Sequence, residues 1–229
     1  MLAKKKKLSR KEIKQDRLVE LYYNSQNYFA ENKNRIYMYL GVLVVMILAV
    51  YYFVDQRKES NLKAGLELSR VMELYDMGSY LEAIEGRQGT NIIGLKRIVE
   101  DYGSTENGET AKIFLANSYS SLGQIEEAYK YYKDYSGSID MYKATAFAGQ
   151  GSYHSFKGEY KKSADLYLRA ARVSKENIMR PEYLLQASIN YINSGDNAEA
   201  KELLQTIKDD YKTSQAFSSV DRYLAIIDK

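Results

Sequence analysis

The sequence predicts an all-α chain: one N-terminal transmembrane helix, then paired helices stacked as an α-solenoid and closed by a C-terminal capping helix. Three observations predict it. Residues 36–54 form a run of 19 positions without a charge. The composition is rich in helix formers and contains one Pro in 229 residues, which counts against a many-turned β-sandwich. A spacing of small, aromatic and glycine residues then recurs through the remainder. The expected organisation is a basic arm over residues 1–35, a span over 36–54 and a helical body over 55–229.

The arm holds ten Lys or Arg and four Asp or Glu, a net of +6 in a chain whose total is +3. The body behind it is therefore mildly acidic, which argues against a nucleic-acid partner. Lys4, Lys5, Lys6, Lys7, Arg10 and Lys11 are expected at a membrane surface. Ile13, Leu18, Leu21, Tyr22, Tyr28 and Phe29 among these cations suit a helix lying on anionic lipid or against a membrane partner. A plain topology determinant fits the same residues, and the two readings stay open here.

The apolar run IYMYLGVLVVMILAVYYFV reaches about 28 Å as a helix, close to a hydrocarbon core of about 30 Å. Tyr37 and Tyr39 at one end and Tyr51, Tyr52 and Phe53 at the other match the aromatic belts of spanning helices. A cleaved signal peptide has a shorter apolar stretch and a small-residue exit, and this run leaves through bulky rings into Asp55. Cations flank both ends, so the lysine cluster decides the orientation: N-terminus in the cytoplasm, body on the far side of the inner membrane.

Past residue 61, Ala116, Tyr119, Gly123, Ala128 and Tyr132 set a register. Gly151, His154, Gly158, Ser163 and Tyr167 repeat it, followed by Ser188, Tyr191, Gly195, Ala200 and Leu204. Gly78 and Ala83 begin an earlier, partial copy, and the stretch EGRQGT interrupts it. A small residue lets two helices approach, an aromatic fills the gap beside it, and glycine permits the left-handed turn between them. Phe217, Val220, Leu224 and Ile227 line one face of a last helix, as a cover for the end of the stack requires.

These residues, clearest in SYSSLGQIEEAYKYY, YHSFKGEYKKSADLYLRAA and YINSGDNAEAKELL, resemble the tetratricopeptide repeat, whose period is about 34. The chain departs from that pattern where Lys112, Phe147 and Leu184 stand at the place of a frequent Trp. Pro181 opens a helix instead of closing one. The resemblance implies a concave protein-binding groove lined by Ile113, Asn117 and Ser120, then Ala148, Ser152 and Ser155, then Leu185, Ile189 and Ile192. The third set is apolar and is expected to lie partly under the final helix. The family's carboxylate clamp is absent: Ile113, Gly149, Glu182 and Gln186 occupy four of its places and only Asn117 agrees.

Basic tail, single span and repeat body together are similar to the YfgM-type membrane-anchored tetratricopeptide proteins of bacterial envelopes. That resemblance implies a non-enzymatic scaffold ancillary to the Sec translocon and to periplasmic chaperones, with the channel, chaperones or secreted clients as partners. A membrane-tethered regulator or envelope-state sensor is the alternative. Chemistry is poorly provided for. The chain has no Cys and one His, His154, which stands at the aromatic place of its repeat. GTNIIGLK lacks the Ser or Thr of a phosphate loop, and AGQGS falls inside a helix. No cofactor, metal, nucleic acid or small-molecule substrate is expected.

Overall fold

The computed structural model describes residues 10–228, with side chains from residue 19 onward. Ten α-helices occur among the described residues, and the one β pairing there is an isolated bridge between Gly86 and Ile93. The chain divides into two compact units, Met1–Gln56 and Arg57–Lys229.

The first unit contributes most of α1 (Arg10–Asp76), whose apolar stretch is long and apolar enough to cross a membrane, with a mean hydropathy of 2.2. Among residues 19–56 every side chain except Asn32 and Ile36 is exposed. Lys4, Lys5, Lys6 and Lys7 lie outside the described residues, as do the side chains of Arg10 and Lys11, so the expected membrane-surface set is not placed.

The second unit begins with the end of α1 and continues through α2 (Tyr80–Glu85), α3 (Leu95–Tyr102), α4 (Glu106–Ser121), α5 (Ile125–Asp134), α6 (Asp140–Phe156), α7 (Tyr160–Val173), α8 (Arg180–Ser194), α9 (Asn197–Asp210) and α10 (Phe217–Ile227). Local chemistry starts several of them. Thr105 caps α4, its hydroxyl accepting from the Gly108 amide at 3.1 Å, and Glu106 and Glu109 favour the positive end of the helix dipole. Pro181 stands in the first turn of α8, where no intrahelical N–H is needed.

Four reversals share one geometry. Gly78, Gly123, Gly158 and Gly195 have φ of 74°, 73°, 75° and 84°. Each glycine amide donates to the carbonyl three residues back, and the next amide donates to the carbonyl five back: Gly123 to Ser120 and Gln124 to Tyr119, Gly158 to Ser155 and Glu159 to His154. These paired bonds satisfy carbonyls that a helix end leaves bare. The returning helix then packs on the one before it through the small residues of the register. Ala83, Ala128, Ser163 and Ala200 are fully or nearly fully buried, and the Ser163 hydroxyl donates to the Gly151 carbonyl at 2.8 Å.

Cross-helix contacts give the directions. Lys112 meets Asp134 and Asn117 meets Tyr132 between α4 and α5, while Gln150 meets Tyr132 and Tyr153 meets Tyr129 between α5 and α6. Phe147 meets Arg169 and Gly151 meets Ser163 between α6 and α7, and Tyr191 near the end of α8 donates to Asp165 near the start of α7. Successive helices therefore alternate, and α4, α6 and α8 run the same way. The segment 57–76 of α1 runs with them, since Asn61 pairs with Asn107 and Tyr75 with Asn117.

The interrupted copy is resolved by a broken return helix. α2 and α3 replace one continuous helix, residues 86–94 bulge out between them, and both pieces pack on α4. Ala83, Ile84, Leu95 and Ile98 join Leu68, Val71 and Leu74 of α1 in one core. A second core holds Tyr167, Tyr183, Leu184 and Leu204 together with Val220, and Phe217, Leu224 and Ile227 pack against it.

Lys112, at the frequent-Trp place, is buried. Its ammonium lies 2.9 Å from Glu109 Oε1 and 2.8 Å from Asp134 Oδ2, while Glu109 also accepts from the Ser136 amide and hydroxyl. Burial alone lowers the pKa of Lys112, but the bonds to Asp134 and Glu109 outweigh it, so the net displacement is upward. Glu109 is the main counter-ion, since Asp134 is mostly exposed.

A Cβ added at Gly158 would meet nothing within 4 Å, so Gly158→Ala incurs only the left-handed backbone penalty, and about 1–2 kcal/mol of stability is expected to go. Lys112→Met leaves the Glu109 carboxylate buried beside no cation, and a loss of about 3–5 kcal/mol is expected. Urea unfolding followed by circular dichroism measures both; an equal loss in the two variants would contradict the ranking.

Candidate functional site

One cleft opens beside α4, α5, α6 and the start of α8, with a volume of about 280 Å³. Its walls are Ser120, Ile125, Ala128, Tyr132, Thr145, Ala148, Gly149, Ser152, Tyr153 and Tyr183, and none of these carries a formal charge at neutral pH.

The sequence-predicted groove residues divide around it. Ser120, Ala148 and Ser152 come together in the cleft. Asn117 lies deeper: its Oδ1 accepts from the Tyr132 hydroxyl at 2.7 Å and its Nδ2 donates to the Tyr75 hydroxyl at 3.3 Å. Ser155 is half-buried at the far end of α6. Ile113 and Leu185 do not line a groove. They are 1% and 5% exposed, because each points into an apolar core where neighbouring helices close over it. Ile189 and Ile192 pack against the core that also takes Leu224 and Ile227 of α10.

Hydroxyls supply the polarity, those of Ser120, Thr145 and Ser152 beside those of Tyr132, Tyr153 and Tyr183. Burial pushes the Tyr132 phenol well above its ordinary value of 10.0, partly opposed by a hydrogen bond with Ser120. Tyr167 and Tyr183 are raised in the same way, with Ser152 and Thr145 as the opposing hydrogen-bond partners. All three stay neutral at physiological pH and keep both donor and acceptor capacity. Tyr132 fits only because α6 has glycine beside it: a Cβ at Gly149 would run into the Tyr132 ring. A glycine inside a helix costs about 1 kcal/mol against alanine unless a neighbour uses the space. That rule marks Gly149 as a packing position and was the available signal for Tyr132; no comparable signal pointed to Thr145 or Tyr183, and the repeat register assigned none of the three to the groove.

His154 is 4% exposed, with its ring edge-on to Tyr129 and Tyr153 and Nδ1 2.8 Å from Glu159 Oε2. This is a packing arrangement with one satisfied ring nitrogen. The loop of GTNIIGLK leads into α3, but its nearby cations are engaged: Arg87 with Glu82, Lys96 with Glu85 and Arg97 with Asp101. Among the described residues no three His, Cys, Asp or Glu side chains cluster as metal ligands do. The cleft can therefore bind through hydrogen bonds and aromatic faces, and it holds no nucleophile with a base beside it.

No family model, curated protein or solved structure matches this chain.

The tyrosines also set an alkaline limit. Their folded-state pKa values lie above the unfolded value of 10.0, with Tyr191 pushed up to about 12 by burial and by its bond to Asp165. Each contributes stability that is complete below pH 10 and is lost as pH rises through the folded value. In an alkaline titration of the chain in detergent micelles, tyrosinate absorbance is expected in two phases, the second coinciding with loss of helical dichroism. A single phase near pH 10 with helicity intact would contradict the burial of these phenols.

Proposed function

We propose that the chain is a single-pass membrane protein whose body is a tetratricopeptide-like stack that holds polypeptide segments and does no chemistry. The uncharged, hydroxyl-lined cleft beside α4 and α6 carries this reading. A site of hydroxyls, small residues and aromatic faces suits main-chain amides and uncharged side chains, where hydrogen bonds orient and rings supply contact area. The repeated reversals and the alternating helices support a stack, with α10 as the cover of its last pair.

The exposed apolar surface of residues 37–54 supports the span. Large contiguous apolar surface on a soluble chain is rare, and lipid is the medium that removes it from water. The lysine-rich tail supports a cytoplasmic N-terminus with the body outside the inner membrane. The likeness to YfgM-type envelope proteins narrows the partners to the translocation channel, periplasmic chaperones or secreted clients.

Photo-crosslinking groups at Ser120 and Ser152 are expected to capture one of these three partner classes. Ala148→Arg, which fills the cleft with an unpaired cation, is expected to weaken capture roughly tenfold, about 1.4 kcal/mol. Equal capture from a probe at Gln205, on the exposed face of α9, would refute the groove as the binding site.

A further inference from the structure

Because 57–76, α4, α6 and α8 all run the same way, their starts share one edge of the second unit. Arg57 marks that edge, donating to the Ser104 carbonyl at 2.6 Å, and the loops 103–105, 135–139 and 174–179 lie along it. It is also the edge at which the chain arrives from the apolar run. Only Asp55 and Gln56 separate Val54 from Arg57, so the connecting chain reaches at most about 10 Å, and the polar layer of a bilayer is about 5–8 Å deep on each side.

The same edge carries an unusual loop tip. Ile178 is 89% exposed, more than the large apolar side chains of the apolar run, among which Tyr51 stands at 73%. Met179 beside it and Met141 at the start of α6 are exposed too. Loop tips ordinarily carry Gly, Asn, Asp or Ser. This one holds its apolar side chain outward on an ordered turn, in which Asn177 Oδ1 accepts from the Met179 amide at 2.9 Å and the Asn177 carbonyl accepts from the Arg180 amide at 2.9 Å. Thr145 and Tyr183, one turn past Met141 and Met179, meet in the cleft, so the two methionines stand on neighbouring helix starts.

We propose that this edge touches the lipid surface and that Ile178 and Met179 dip into the headgroup layer as a second, shallow membrane contact. Exposed Arg172 and Lys175 flank the tip, and cations beside an inserted apolar residue favour anionic headgroups while their stems stay in the interface. Glu106, Asp134, Asp140, Asp209 and Asp210 lie along the same edge and repel such a surface, which confines the contact to the tip; Glu176 within the tip accepts from the Ser174 hydroxyl and offsets one of the two cations. The inference rests on residues 36–54 spanning the membrane.

The chain has no Trp, so one introduced indole reports alone. Full-length I178W and F156W are reconstituted into vesicles of phosphatidylethanolamine and phosphatidylglycerol, with and without brominated acyl chains. Phe156 is an exposed residue at the opposite edge, beside the Gly158 turn. The expected result is blue-shifted emission from I178W, quenched several-fold by bromolipid, and water-like emission from F156W, quenched by aqueous iodide. Iodide quenching of I178W equal to that of F156W, with the protein retained on carbonate washing, would overturn the lipid contact alone. Release of the protein by carbonate would overturn the span and the contact together.

Discussion

Each helix pair in the second unit is closed by a reversal that only glycine makes cheaply. At four places a helix ends with one residue at positive φ and two backbone hydrogen bonds that cross back over its last turn. The turn sets the direction in which the next helix departs, and the small residue five positions on lets that helix close against the one before it. Those turns make half of the alternation; the reversals through 135–139 and 174–179 contain no residue at positive φ, and the common direction of α4, α6 and α8 needs both kinds. Core side chains refine the packing, but the turns decide which faces can meet.

This explains what the sequence made legible. Gly123, Gly158 and Gly195 could be read because the backbone conformation they serve excludes most other residues, and Ala116, Ala128, Ser163 and Ala200 because close approach demands small ones. The apolar run was readable from length alone. The groove was less so. Successive helix residues turn by about 100°, so a small error in how neighbouring helices cross moves a position from a surface into a core. Ile113 and Leu185 suffered that fate. Tyr132, placed by the register as packing, turned out to supply packing and to line the cleft, and its partner Gly149 was legible as a glycine inside a helix.

The body also tolerates two departures from its own pattern, each by a different means. Residues 86–94 interrupt a return helix without dispersing the core, because Ala83 and Ile84 before the bulge and Leu95 and Ile98 after it still reach α1 and α4. Gly94 makes this possible, since a Cβ there would strike the backbone of Ile84. Lys112 fills an interior place by bringing its counter-ion with it. The first departure keeps the apolar contacts and gives up continuity; the second keeps continuity and gives up apolarity.

The absence of charged walls around the cleft has a thermodynamic corollary. Attraction between ions weakens as mobile salt gathers around them, with a Debye length that shrinks from about 30 Å in dilute solution to about 3 Å at molar strength. Phenol and hydroxyl hydrogen bonds have no such dependence. Whatever rests on Tyr132, Tyr183, Ser120 and Ser152 is held alike in fresh water and in brine.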